Sequence, residues 1–208
     1  MRSLLALYFF MLFYNVSYAD HIMIGDSIFT HRNQEIKNII ESNQKIKIKN
    51  YAVQGHWFKN ISSQFDNSSA KDGDIIIMDG GGNDIFGNGG NCKNRPNANC
   101  KSQVDGIAEK FRDLLNKMST RKIDSVFFLS PYYISGLESA VDYGIDKCLP
   151  ICQDSLVYCV FIDVRFAMKP KDLESDGIHP NGTGTKILAN SIIEAMKNAV
   201  KSDIGPKY

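Results

Sequence analysis

Three short segments carry residue types that together can run acyl transfer. Gly25-Asp26-Ser27 places a hydroxyl directly after an apolar run. A Ser at a strand-to-helix turn exposes its Oγ at the edge of a sheet. The N–H groups of the following helix then aim at the point where an oxyanion would develop. Asp176-Gly177-Ile178-His179-Pro180 supplies a base. A Ser nucleophile requires an imidazole within hydrogen-bond reach, and the imidazole requires a carboxylate to orient it. An Asp three residues before a His reaches that ring if the chain turns between them. Gly177 favours the turn, and Pro180 biases His179 away from helical geometry. Gly80-Gly81-Gly82-Asn83-Asp84 offers backbone that a ligand can approach closely and, in Asn83, an amide donor for an oxyanion.

Each segment alone has a simpler reading. A Ser after Gly-Asp is commonly a helix cap. Asp176–Pro180 can be a helix entry with a solvated His, and the glycine segment a loop with Asn and Asp as turn formers. Asp79 and Asp84 are oxygen ligands suited to calcium, but their spacing departs from the EF-hand pattern. Specificity lies in the conjunction, which depends on the elements that hold the three segments.

Those elements are legible as alternating strands and helices. His21 to Ile24 is a short apolar run ending at Gly25, and reads as a buried strand. Phe29 to Ile40 carries Ile36, Ile39 and Ile40 at helical spacing, and Ile46 and Ile48 alternate with lysines as in a strand with one wet face. Asp74 to Asp79 encloses Ile75-Ile76-Ile77-Met78, the pattern of a central parallel strand covered on both faces. Gly80 to Gly90 reads as loop. Val104, Ile107, Ala108, Phe111, Leu114 and Leu115 form an amphipathic helical stripe. Val126–Leu129 and Val160–Ile162 are further strands, and Thr183 to Val200 is a closing helix. Between Tyr132 and Tyr158 the pattern is hard to read, and Pro150 argues against one continuous helix. The predicted fold is α/β, one domain, with a mostly parallel sheet of about five strands. In such sheets ligands bind beyond the carboxyl ends of the strands, so the chemistry is expected just after Ile24, Met78 and Ile162, near the start of the last helix.

In this order the motifs resemble those of the SGNH hydrolases, also called the GDSL esterase/lipase family. The four family blocks appear as Gly25-Asp26-Ser27, a lone Gly55 within Asn50-Tyr51-Ala52-Val53-Gln54-Gly55, Gly81-Gly82-Asn83-Asp84, and Asp176-Gly177-Ile178-His179-Pro180. The chain is most similar to the small exported esterases of the thioesterase I/lysophospholipase L1 type. The resemblance implies a three-layer α/β/α sandwich, flavodoxin-like in architecture. It also implies Ser27 as nucleophile, His179 as base and then acid, and Asp176 as the group that orients His179. The Ser27 and Gly55 N–H groups and the Asn83 side chain would form the oxyanion hole. No metal and no organic cofactor is implied. A neutral imidazole base predicts a rate that rises through about pH 6 to 7. Asp26, His56, Trp57 and Phe86 lie beside these blocks and are expected to line the substrate pocket, with core packing the alternative for Trp57. His21 and His31 read as structural or solvated.

Residues before Asp20 are read differently. Arg2 is the only charge among the first nineteen, Leu4 to Phe13 is apolar, and Ser17-Tyr18-Ala19 puts small residues where a signal peptidase reads. This predicts a signal peptide over residues 1–19, cleaved after Ala19, a single domain over 20–208, and a secreted or periplasmic protein. The apolar run is short for a bilayer span, which needs roughly 20 residues. In an oxidising compartment five cysteines become candidates for disulfides. A Cys92–Cys100 bridge is expected, with one more bridge among Cys148, Cys152 and Cys159. No paired C-x-x-C and no His in the second cluster argue against zinc.

A formal net charge of +1 gives no electrostatic case for a nucleic-acid partner. The expected function is hydrolysis of carboxylic esters through an acyl-enzyme on Ser27, of esterase, lysophospholipase or thioesterase type. The expected partner is a small-molecule, lipid or glycan ester, and the expected state a monomer without a membrane span. Carbohydrate O-acetylester hydrolysis is the alternative. A non-catalytic binding module on the same fold is disfavoured by the intact Ser27, Asp176, His179 and Asn83.

Overall fold

The computed structural model describes residues 19–87 and 91–203. The expected leader falls outside these residues up to its last position, Ala19. Five strands form one sheet: β1 (His21–Ile24), β2 (Ile48–Asn50), β3 (Ile75–Met78), β4 (Ser125–Leu129) and β5 (Tyr158–Ile162). Their spatial order is β2-β1-β3-β4-β5, and every pairing is parallel. Helices are α1 (Ser27–Gln44), α2 (Phe58–Asn67), α3 (Gly82–Gly87), α4 (Ala98–Thr120), α5 (Glu138–Gln153) and α6 (Gly182–Asp203).

The continuous apolar runs are explained by two cores, one on each face of the sheet. Side chains alternate along a strand, so Ile22, Ile24, Ile76, Met78, Val126 and Phe128 face one way and pack with α2, α4 and α5. Met23, Ile77, Phe127 and Leu129 face the other way and pack with α1 and α6. The register pairs Ile22 with Ile76 and Ile77 with Phe127, so both core layers run straight across the sheet. A third, smaller cluster joins Ile85, Val104, Leu137 and Ala140 around the Cys92–Cys100 bridge.

Strand order reverses direction at β1 and β3. Chain leaving β1 goes to one side of the sheet and chain leaving β3 to the other, which opens a crevice at their carboxyl ends. Ser27 follows β1 and Asn83 follows β3.

Four local expectations differ from the structure. Gly80 to Gly90 is not all loop, because α3 occupies Gly82–Gly87. Ile85 N–H donates to Gly81 carbonyl, and Asp84 accepts the Phe58 N–H at 2.7 Å, which pins the turn. Helix α2 carries Phe58, Ile61 and Phe65 at helical spacing, all buried, a signal passed over because the segment is short and polar between them. Pro150 does not interrupt α5. It stands in the last turn, where it removes one hydrogen bond, to the Asp146 carbonyl, and buried Ile151 and the Cys152–Cys159 bridge hold the helix end. Helix α1 is broken at His31–Gln34, which no local pattern announces. Both expected disulfides are present, and Cys148 keeps a buried thiol. Among the described residues no helix is long and apolar enough to cross a membrane.

Candidate active site

Ser27 is the first residue of α1 and is 9% exposed. Asp26 caps the helix, its Oδ1 accepting the Ile28 N–H at 3.1 Å. Asp26 N–H donates to Asp79 Oδ1 at 2.8 Å. Gly25 is required here: a Cβ on it would stand 1.6 Å from Asp79 Oδ1. The turn that lifts Ser27 is thus closed from below by a carboxyl on the end of β3.

The second segment is a small hairpin. Leu173 and Pro180 form an antiparallel bridge, and Glu174 N–H donates to the His179 carbonyl at 2.7 Å. At its tip Gly177 takes φ +67°. Asp176 Oδ1 accepts the N–H groups of Ile178 (2.8 Å) and His179 (2.9 Å), while Oδ2 lies 2.6 Å from His179 Nδ1. The hydrogen bond from His179, then those two N–H groups, hold the Asp176 carboxyl down at about 2. Tyr132 Oη, just past β4, donates to the Ile178 carbonyl at 2.6 Å and braces the hairpin against the sheet.

Across 152 positions of chain, His179 Nε2 comes to 3.1 Å from Ser27 Oγ. The arrangement can pass a proton from a hydroxyl to an imidazole oriented by a carboxylate. Asn83 Nδ2 donates to the His56 carbonyl at 2.9 Å. An amide has two N–H donors, so this bond occupies one of them. Gly55 sits in a turn closed by His56 N–H to Val53 carbonyl, with φ +76°.

A cavity of about 50 Å³ opens beside Ser27, lined by Asp26, Ile28, Asn83, Phe86, Tyr132 and Ile134 among others. Of the four residues expected in the pocket, Asp26 and Phe86 line it and His56 and Trp57 do not. His56 Nδ1 lies 2.9 Å from Gln64 Nε2, and the exposed Trp57 ring lies against Gly87. The segment after β4, Ser130 to Ile134, was missed as a wall of the site. Its signal was available: Pro131 and Tyr132 follow directly on a carboxyl-terminal strand end. The segment just after β5 does not line the cavity; its Val164 N–H donates to Ser130 Oγ at 3.1 Å in the cavity wall, and the chain then leads to the hairpin.

Two carboxyls, Asp26 and Asp79, lie buried at the turn that carries Ser27. Burial, and only secondarily the neighbouring Asp84 charge, pushes Asp26 up to about 6. Burial, then the Asp26 charge, pushes Asp79 well above the usual carboxylate range. Among the described residues no group of three or more His, Cys, Asp or Glu side chains is placed to hold a metal ion.

Solved structures share this fold. A carbohydrate esterase family 3 protein from Talaromyces cellulolyticus aligns with TM-score 0.68 and 16% identity, over 89% of this chain and 99% of that one. The psychrotrophic esterase EstA from Pseudoalteromonas sp. aligns with TM-score 0.61 and 14% identity, over 88% and 99%. TesA aligns with TM-score 0.65 and 11% identity, over 86% and 98%. Comparison with curated proteins gives no significant match. The family model for GDSL-like lipase/acylhydrolase matches residues 22–192, a span that runs from β1 through the hairpin into α6. The chain belongs to the GDSL-like lipase/acylhydrolase family and is a hydrolase of its esterase class.

Proposed function

We propose that Ser27, His179 and Asp176 hydrolyse carboxylic esters through an acyl-enzyme. The observation that carries this reading is the continuous chain of contacts from Ser27 Oγ through the His179 ring to Asp176 Oδ2. Ser27 Oγ attacks the carbonyl carbon as its proton passes to His179 Nε2. The tetrahedral oxyanion is held by the N–H groups of Ser27 and Gly55 and by the second Asn83 N–H. Collapse breaks the bond to the leaving oxygen or sulfur, which takes the proton from His179. Water then gives a proton to His179 and attacks the acyl carbon; the bond to Ser27 Oγ breaks, Oγ takes the proton back from His179, and the acid is released. Phe86, Tyr132 and Ile134 offer apolar surface for the acyl group.

The leading substrates are acyl esters of lysophospholipid or thioester type. Carbohydrate O-acetyl esters are the second reading, favoured by the size of the cavity. The space beside Ser27 measures about 50 Å³, which suits a short acyl group. Export by way of a cleaved leader is part of the proposal, supported by the sequence before Asp20 and by two disulfides.

Hydrolysis of p-nitrophenyl acetate, butyrate, octanoate and palmitate by the chain from Asp20, beside Ser27→Ala, tests the reading. Ser27-dependent activity confined to acetate selects the deacetylase, and activity on longer chains selects the lipid or thioester hydrolase. Absence of turnover together with absence of phosphonate labelling at Ser27 refutes both.

A further inference from the structure

Helix α1 contains a form that helices avoid, and it lies against His179. Arg32, Asn33 and Gln34 have φ of 49°, 54° and 61°, all left-handed, after His31 opens the break at ψ 151°. Left-handed geometry is unfavourable for L-residues in succession, and it persists only where the surroundings over-determine it. Each member here is held. Arg32 donates from Nε to Glu35 at 2.6 Å and from Nη1 to Glu174 at 3.1 Å. The Asn33 carbonyl accepts from Asn38 Nδ2 at 3.2 Å, and Gln34 Oε1 accepts from Asn50 Nδ2 at 3.2 Å.

The break redirects two side chains onto the catalytic hairpin. The His31 ring stacks on the His179 ring, with centroids 4.8 Å apart and planes 20° from parallel. His31 Nε2 is buried without a hydrogen bond, 3.9 Å from Glu174 Oε1. Arg32 grips Glu174, whose N–H donates to the His179 carbonyl, and its Nη2 would lie 3.3 Å from a Cβ on Gly182 at the start of α6. The His179 ring turns about its Cβ–Cγ bond, and the hydrogen bonds to Asp176 and Ser27 lie near the ring plane, where they bend as the ring tilts. A flat surface against the ring face resists that tilt directly.

We infer that the left-handed turn is a clamp: His31 fixes the His179 ring by stacking, and Arg32 fixes the hairpin through Glu174. Both are positioning residues, an assignment that rests on His179 being the base. The charged and titratable groups facing His31 are Arg32 on its own helix and Glu174, Asp176 and His179 on the hairpin. Burial first, and then the charge on His179, hold His31 below its ordinary value. That direction favours a neutral His31 as His179 takes the Ser27 proton, so that a second cation does not oppose the transfer.

The test combines kinetics with a readout that needs no turnover. With p-nitrophenyl acetate, His31→Ala should lower kcat by roughly tenfold with KM within about twofold, since misplacing a catalytic group by about 1 Å costs up to 10²-fold. His31→Phe should restore most of the loss, because a flat ring still stacks. Arg32→Ala and Glu174→Gln should each lower kcat several-fold, on the order of the coupling seen between contacting residues, and the double variant should lose no more than the worse single. Unchanged kcat in His31→Ala, failure of His31→Phe to restore it, or additive losses for Arg32 and Glu174 would overturn the clamp. NMR titration of the His179 ring separates this from the Ser27 reading. Ring signals that are unchanged in His31→Ala and Arg32→Ala overturn the clamp whatever Ser27 does. Changed signals in a protein whose Ser27 takes no phosphonate keep the clamp and remove Ser27 as nucleophile.

Discussion

Gln64 and Gly25 are joined by a closed pair of hydrogen bonds. The Gly25 N–H donates to Gln64 Oε1 at 2.7 Å, and Gln64 Nε2 donates back to the Gly25 carbonyl at 2.8 Å. Gln64 is 4% exposed, and its Nε2 also lies 2.9 Å from His56 Nδ1. One buried amide on α2 thus ties the turn that presents Ser27 to the segment that follows Gly55. Gln64→Leu keeps the volume but leaves the Gly25 N–H unpaired and its carbonyl with the Val53 N–H alone. Each unsatisfied buried group costs about 1–3 kcal/mol, so the denaturation midpoint should fall clearly and kcat should fall with it. An unaltered midpoint in urea would show that the pair carries no stability.

Asn83 gives one N–H to the His56 carbonyl, and the proposed function uses its second for the oxyanion. Asn83→Ala is expected to lower kcat by roughly 10²- to 10³-fold, the usual cost of one oxyanion donor. Steady-state kinetics on p-nitrophenyl acetate checks it, and a kcat equal to the parent's would exclude the role.

Asp176 serves His179 twice, through Nδ1 and through the backbone N–H. Asp176→Asn should preserve the hairpin but favour the wrong imidazole tautomer, with kcat reduced by about 10⁴-fold as in other Ser-His-Asp sites. A loss confined to KM would contradict an orienting role. Because the carboxyl titrates at about 2, a fall in rate at mildly acid pH belongs to another group.

The buried carboxyls predict a pH dependence of stability. Asp26 titrates at about 6 and Asp79 well above its ordinary value, so the native state binds protons that the unfolded chain has released. The stability linked to these groups is fully present below about pH 4 and is lost as pH rises through about 6 and beyond. Asp79→Asn retains a neutral acceptor for the Asp26 N–H while removing one charge. Its Tm relative to the parent should therefore improve from pH 5 to pH 8. A Tm difference that is flat or worsens across that range would refute the linkage.

Much of this molecule was legible before any coordinates. Ile75–Met78 and Val126–Leu129 are short uninterrupted apolar runs between turn signals, the pattern of a strand covered on both faces, and they became β3 and β4. The Asp176–His179 contact was legible because it is local: three residues, a glycine and a following proline suffice to describe it. The α1 break was not legible, because Arg32-Asn33-Gln34 carries no glycine and owes its shape to Glu174 and Asn50, far away in sequence. Pro150 misled for the same reason, since its tolerance depends on where α5 ends and what is buried beside it.

Sequence by itself determined the alternation of strands and helices, which is written in periodicity, and held the short motifs on which the resemblance to the family rests. Tertiary structure alone decided that Ser27 meets His179, that the end of β4 walls the cavity, and that His31 lies on the face of the His179 ring. Those contacts depend on the order and register of parallel strands. Register is set by the packing of two cores at once, and no local stretch of chain encodes it.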